Sequence, residues 1–300
     1  MKPNQLHAFL AVTTQMSIRG AARELGVSPP AVTKTVRELE REVGAPLIER
    51  SVKGVQLTEF GAAFAPRARR LLDDMNRARE EIAQLRDGAI GGVRIGVSPS
   101  FAETLLVPAF KALRARRPAV TMYFSEPTFS GMLVRLREAH LDLAITHVSE
   151  GSLDPEFESL PLFPVQLVIG LRNRHPLRDQ RSLRGPLLDA EWILPGDGNN
   201  RNTVLESGFT SLGLPVPARI MQGDSVNAGL ALVSQMDLVG CFAEPLAKVA
   251  FKRYGIRQLE LEESFLPLQM CVIYRRDSRL TPAALQFIEC IREVSLDMLG

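Results

Sequence analysis

Cysteine is scarce in this chain. Cys241, Cys271 and Cys290 are three in 300 residues, odd in number, widely separated and set in apolar surroundings. That spacing excludes a disulfide framework and reads as reduced core thiols. The four histidines, His7, His140, His147 and His175, show no metal-ligand spacing, so no metal site and no cofactor is expected. No apolar run approaches the roughly twenty residues that span a bilayer. Signal-peptide architecture is missing at the N-terminus, so a cytoplasmic location without a membrane partner is expected. Low-complexity tracts and short internal repeats are absent too. A reacting constellation is also lacking, because Gly96-Val97-Ser98-Pro99-Ser100 fails the nucleophile-elbow pattern G-x-S-x-G at its last residue. The chain therefore reads as a non-enzyme.

What is present is a chain long enough for about two domains. Its 45% hydrophobic and 23% charged residues are those of a globular protein. Charge is unevenly shared. Up to residue 70 there are eleven Lys or Arg against six Asp or Glu, a net of +5, leaving 25 against 28, or −3, for the rest. A basic head on a slightly acidic body suits counterion release from DNA. A secreted binding protein would need a signal peptide and no such head.

The head has a legible architecture. Ser17 is placed to cap a helix carrying Ala21, Ala22 and Leu25 at helical spacing. Gly26 ends it, Val27 is expected to plug the turn, and Ser28 caps a second helix that opens on Pro29. Val32, Val36 and Leu39 then face inward, whereas Pro30, Thr33, Lys34 and Arg37 face out. A preceding helix with Leu6, Phe9, Leu10 and Thr13 on one side completes a three-helix core. This is the helix-turn-helix pattern, whose second helix presents its N-terminal residues to base edges in the major groove. Ser28, Pro29, Pro30, Thr33, Lys34 and Arg37 are the candidate DNA-binding residues; a merely solvated face is the bland alternative.

Residues 46–60 predict a β-hairpin turning at Lys53-Gly54, with Thr58 capping the next helix. A hairpin after a recognition helix is a wing. Arg50 and Lys53 at its tip would position the DNA backbone without reading sequence. Phe64, Ala68, Leu71, Met75, Ala78, Ile82 and Leu85 then alternate spacings of four and three. Such a seam implies a coiled-coil dimer, or else packing against the helix's own domain.

Residues 4–61 resemble the N-terminal domain of the LysR-type transcriptional regulators. The resemblance is carried by the Phe9 helix, Ala21-Ala22-Arg23-Glu24-Leu25, Ser28-x-Pro30-Ala31-Val32, Leu39-Glu40, Gly44, Pro46-Leu47-Ile48-x-Arg50 and Leu57-Thr58-x-x-Gly61. The family most often has Gln at the place of Pro29, so the base contact expected from Gln is absent. The resemblance implies double-stranded operator DNA and RNA polymerase as partners. It also implies a homodimer through the linker helix, which commonly becomes a homotetramer.

After Asp87-Gly88-Ala89-Ile90-Gly91-Gly92 the chain alternates short apolar strands with amphipathic helices as far as Phe242, which predicts α/β sheets with ligands at the strands' carboxyl ends. Ala102–Arg116 is expected as one helix and Leu160–Leu171 as one extended run. The expected fold is α/β: an N-terminal winged helix-turn-helix, a long linker helix, and, by the resemblance, a two-lobed effector domain like periplasmic binding proteins. The boundaries are 1–62, 63–91 and 92–300, with lobe one at 92–162 and 268–300 and lobe two at 163–267. Ser98, Ser100, Asn202 and Arg201, where strands give way to helices, are the candidate ligands of a small organic anion. Thr128, Phe129, Thr146, His147 and Gln222 would line its walls. Helix capping is the competing role for each, and a vestigial sensor is the competing reading of the domain. Effector binding between the lobes would shift their pose and, through it, DNA binding.

Overall fold

The hydroxyls of Ser17, Ser28 and Thr58 and the left-handed Gly26 set helix ends where they were expected, whereas the first helix ends on Met16 in a left-handed conformation. In the computed structural model, residues 1–51, 54–87, 91–149, 151–195 and 203–299 are described. The chain divides into two compact units, Met1–Gly88 with Arg137–His140, and Ala89–Leu136 with Leu141–Gly300. In the first unit α1 (Pro3–Gln15), α2 (Ile18–Leu25) and α3 (Pro29–Val43) form the helix-turn-helix core. The Ser17 hydroxyl accepts the Gly20 N–H at 3.2 Å, and Gly26, at φ 65°, ends α2. Ala21 and Ala22 are fully buried against Ala8, Ala11, Val12, Val32 and Val36. Val27 does not plug the turn: its side chain is 47% exposed, because the core is already filled by Ala22 and Val32.

The wing follows as β1 (Ile48–Ser51) and β2 (Gly54–Leu57), antiparallel, with Ile48 opposite Leu57 and Ser51 opposite Gly54. It leads into α4 (Glu59–Asp87), capped by Thr58, whose hydroxyl accepts the Gly61 N–H at 3.0 Å. Leu47 joins these parts. Its N–H donates to the Glu40 carboxylate of α3 (2.8 Å), and its carbonyl accepts the Thr58 N–H (3.1 Å). Its side chain is buried among Leu6, Phe9, Leu39, Ala68 and Leu72. Gly61 packs so closely that a Cβ there would lie 1.9 Å from the Leu47 carbonyl oxygen.

The helix α4 carries two apolar faces rather than one seam. Phe64 and Ala68 pack into the unit's own core with Leu72, the Phe64 and Phe9 rings 5.7 Å apart. Leu71, Met75 and Ile82 are 42%, 38% and 64% exposed, and Ala78 between them is exposed as well.

The second unit holds two five-stranded sheets. The first orders β4 (Thr121–Ser125), β3 (Gly92–Val97), β5 (Leu143–Val148), β12 (Leu268–Arg275) and β6 (Phe157–Val165). Helices α5 (Pro99–Thr104), α6 (Leu106–Arg116), α7 (Phe129–Arg137) and α11 (Pro282–Leu299) accompany it. The second orders β11 (Ile256–Gln258), β7 (Leu167–Arg172), β10 (Leu238–Ala243), β8 (Glu191–Pro195) and β9 (Arg219–Gly223). Its helices are α8 (Thr203–Ser211), α9 (Val226–Gln235) and α10 (Glu244–Tyr254). The expected helix 102–116 breaks at Leu105, and the expected extended run 160–171 breaks at Gln166. Since β6 continues to Val165 in the first sheet, the chain changes sheets three residues later than the expected boundary after 162.

That crossover fixes how the sheets present themselves. In the first sheet β3, β4 and β5 are parallel, while β12 runs antiparallel with Gln269 opposite Val148. Val165 lies opposite Leu268, so β6 leaves at the edge where β3, β4 and β5 end. In the second sheet β8, β9 and β10 are parallel, and β7 begins at Leu167 opposite Ala243, at the edge where they end. Gln166 alone separates β6 from β7, so the carboxyl edges of both sheets meet at one crossing. The Gln166 carbonyl accepts the Glu244 N–H at 2.8 Å, which ties α10 to the crossing.

Gly61→Ala is expected to destabilise the first unit by roughly 1–3 kcal/mol, the usual range for forced overpacking. Thermal unfolding checks this: a lowered midpoint is expected, and an unchanged one contradicts the close approach to Leu47.

Candidate DNA-reading face and effector cleft

Along α3 the inward residues Val32, Val36 and Leu39 are fully buried, which turns the opposite face outward. Ser28, Pro29, Pro30, Lys34 and Arg37 are exposed on its N-terminal half, and Thr33 is half-buried beside them. The Ser28 hydroxyl is engaged as the cap, accepting the Ala31 N–H at 3.4 Å. Lys34 and Arg37 have no carboxylate partner among the described residues. The Arg50 backbone pairs with Val55 in the wing, but its side chain and the whole of Lys53 lie outside the described residues. Two cations were not singled out from the sequence. Arg19 and Arg23 of α2 are exposed and line a groove with Ala22, Gly26, Val27 and Pro29. Their one-turn spacing on the outer face of the first motif helix was the available signal.

Three of the cleft candidates form one hydrogen-bonded row. Ser98 follows the last residue of β3, and its N–H donates to the Ile145 carbonyl at 2.8 Å. The Ser98 and Ser100 hydroxyls are 3.2 Å apart, and the Ser100 Oγ is 2.9 Å from His147 Nε2. Both serines are buried and His147 is partly so. Burial pushes the His147 imidazole down to about 4, so it is neutral at pH 7. All three stand at the carboxyl edge of the first sheet, which faces the crossing.

The other candidates divide. Thr146 is buried on β5. Thr128 caps α7, its hydroxyl accepting the Gly131 N–H at 3.3 Å, and Phe129 packs against the cluster of Met132, Leu133 and Leu136. For these two the structural role is evident. Gln222, near the end of β9, borders a cavity of about 170 Å³ walled by Leu194, Met221, Val226, Leu232 and Phe242. Arg201 and Asn202 lie outside the described residues, in the segment that follows the carboxyl end of β8.

Cys241, Cys271 and Cys290 are free and buried. Burial pushes the Cys241 thiol up to about 12 and the Cys271 thiol up to about 11, which removes thiolate character at neutral pH. Among the described residues no group of three His, Cys, Asp or Glu side chains is placed to hold a metal ion. Among them, too, no helix is long and apolar enough to cross a membrane.

A winged helix-turn-helix joined to a two-sheet domain with facing carboxyl edges defines a DNA-binding regulator with its own sensor. Residues 3–62 match the family model for the bacterial regulatory helix-turn-helix protein, lysR family, and residues 86–295 match the LysR substrate binding domain. The chain belongs to the LysR family of transcriptional regulators. It is 28% identical to the transcriptional regulator GbpR of Azospirillum brasilense, over 98% of this chain and 87% of that protein. With the regulator GalR of Pseudomonas putida the identity is 22%, over 97% and 73%. Among solved structures, the LysR family regulator CbnR superposes with a TM-score of 0.72 at 20% identity, covering 98% of this chain and 99% of that one. Full-length CbnR complexed with its target DNA gives a TM-score of 0.71 at 21% identity, with the same coverage.

The His147 environment predicts a pH effect with a definite sign. Unfolded, the imidazole takes up its proton near the ordinary 6.5; folded, it does so only near 4. Stability is therefore lost as pH falls through that window, by roughly 2 kcal/mol at pH 5. Urea unfolding at pH 7.5 and 5 should show that extra loss in the wild type and not in His147→Gln. Equal pH dependence in both proteins contradicts the burial.

Proposed function

We propose that this regulator reads operator DNA as a dimer and that a small organic anion in the inter-sheet cleft controls the reading. Thr33, Lys34 and Arg37 take the base-reading role, with Ser28, Pro29 and Pro30 at the tip, and Arg50 and Lys53 hold the backbone. The exposed stripe of Leu71, Met75, Ala78 and Ile82 supports pairing along α4, because an apolar stripe at alternating spacings of four and three demands cover. A tetramer of two such dimers and contact with RNA polymerase extend the same reading, as does a cytoplasmic location. The Ser100–His147 pair resembles half of a nucleophile–base arrangement, but among the described residues His147 has no carboxylate partner to complete it.

The observation that carries the effector site is the row of Ser98, Ser100 and His147. When His147 Nε2 donates, Ser100 passes its hydrogen to Ser98, whose own O–H is then free for an acceptor in the cleft. A carboxylate or sulfonate is such an acceptor, and Arg201 and Asn202 are the proposed partners of its charge. Thr128, Phe129, Thr146 and Gln222 complete the walls, and the cavity beside Gln222 suits a small apolar body on the same molecule. Control requires that the anion bind one arrangement of the two sheets better than the other.

Two experiments test these assignments. Thermal stability against a panel of small carboxylates and sulfonates should show a shift, approaching about 2.7 kcal/mol at a hundredfold excess over Kd. Ser100→Ala and Arg201→Ala should remove it; a shift that persists in both contradicts the site. On DNA, Lys34→Ala should lose affinity for the operator by the roughly 1–3 kcal/mol of a good base contact while keeping random-duplex binding. Arg50→Ala should weaken both and flatten the salt dependence. Equal losses on both duplexes for Lys34→Ala refute its reading role.

A further inference from the structure

The turn before the recognition helix presents an apolar point beside a basic groove. Gly26 directs the Val27 N–H back to the Ala22 carbonyl at 3.0 Å, which leaves the Val27 side chain outside the core. Pro29 and Pro30 then open α3 without an N–H between them. The Ser28 hydroxyl accepts the Ala31 N–H, and the Ser28 carbonyl accepts that of Val32 at 3.2 Å. Helix N-termini commonly hold phosphate through such N–H groups. Here the Ala31 and Val32 N–H groups are already spent on Ser28, so beside the Ser28 hydroxyl the tip offers base edges chiefly the apolar surfaces of Val27 and Pro29.

Two kinds of side chain remain at this place. Arg19 and Arg23, without an ion-pair partner among the described residues, line the groove that Val27 and Pro29 also line. The first helix of the motif crosses the DNA backbone while the tip of the second meets base edges in the major groove. In that groove thymine alone offers an apolar handle, its 5-methyl group.

Resting on the DNA-reading assignment above, we infer that Val27 and Pro29 read a thymine by its methyl group, with Arg19 and Arg23 on the neighbouring phosphates. The residue that departs from the family's usual Gln thus replaces a hydrogen-bonded readout with a contact readout.

The test uses the full-length protein and a duplex enriched on it from a randomised pool. Replacing single thymines by uracil removes the methyl group and leaves every hydrogen-bonding atom. At one thymine in each half-site the wild type should lose roughly fourfold in affinity, as burial of one methyl group implies. In the double variant Val27→Ala, Pro29→Ala, that loss should shrink below about 1.5-fold, since the contacting carbons are gone. Both positions are exposed, and unchanged circular dichroism and thermal midpoint confirm that the variant folds. Arg19→Ala and Arg23→Ala should weaken selected and random duplexes alike, each reducing the salt slope by about one. Uracil tolerated at every thymine, or a loss that survives in the double variant, overturns the methyl contact. An arginine loss confined to the selected duplex overturns the phosphate role. Failure to enrich any sequence removes the sequence-reading assignment and this inference with it, whereas enrichment without a methyl effect removes only the inference.

Discussion

The backbone of Leu47 is the point on which the DNA-reading unit depends. Its N–H is held by Glu40 of the recognition helix, its carbonyl by Thr58 at the head of the long helix, and Gly61 closes over that carbonyl. The same residue's side chain sits in the core that Ala68 and Leu72 share with Phe9 and Leu39. Recognition helix, wing and long helix are thereby locked to one another by short polar contacts inside an apolar cluster. Such a lock holds the recognition helix in a fixed orientation relative to the long helix, the element proposed to pair. The second N–H on Glu40, from Ile48 at 3.1 Å, extends the hold to the first wing strand. Several residues of the Leu39-Glu40, Pro46-Leu47 and Leu57-Thr58-x-x-Gly61 motifs thus have one physical purpose.

In the sensor unit the corresponding constraint is topological. One residue, Gln166, carries the chain between sheets, and the antiparallel entry of β7 turns the second sheet's carboxyl edge toward the first. Loops that follow parallel strands then face one another whatever their sequence. The Ser98–Ser100–His147 row occupies one side of that space. Away from the crossing, α10 and α5 meet through the Arg253–Glu103 ion pair at 3.2 Å. Both side chains are exposed there, so this ion pair contributes little energy.

Much of this was legible from residues alone. Caps at Ser17, Ser28 and Thr58 and the stop at Gly26 gave helix ends because they are local chemistry. Parallel strands such as β3 and β10 were legible because they are short apolar runs between helices. Where context decides, the local pattern was not enough. β12 (Leu268–Arg275) holds the apolar run Met270–Tyr274, and its partners β5 and β6 come from distant sequence, so no local period marks it. Val27 looked like a core residue because it is apolar; the buried alanines beside it had already filled the space. Phe64 and Ala68 looked like part of one seam, and only the path of α1 across α4 shows that they belong to the inner face. In the cleft, the position of Ser98 and Ser100 followed from the strand end, but their link to His147 required the register of β5 beside β3.

Pairing would fall on the outer face of the long helix. Leu71, Met75 and Ile82 are apolar and exposed on an element rigidly joined to the reading head. Their proposed cover is the same stripe of a second chain, which would set two recognition helices on half-sites about one DNA turn apart. Sedimentation velocity on the full-length protein and on the triple variant Leu71→Glu, Met75→Glu, Ile82→Glu tests this most directly. The wild type should sediment as a dimer or larger assembly and the variant as a folded monomer. A variant that sediments like the wild type would contradict it.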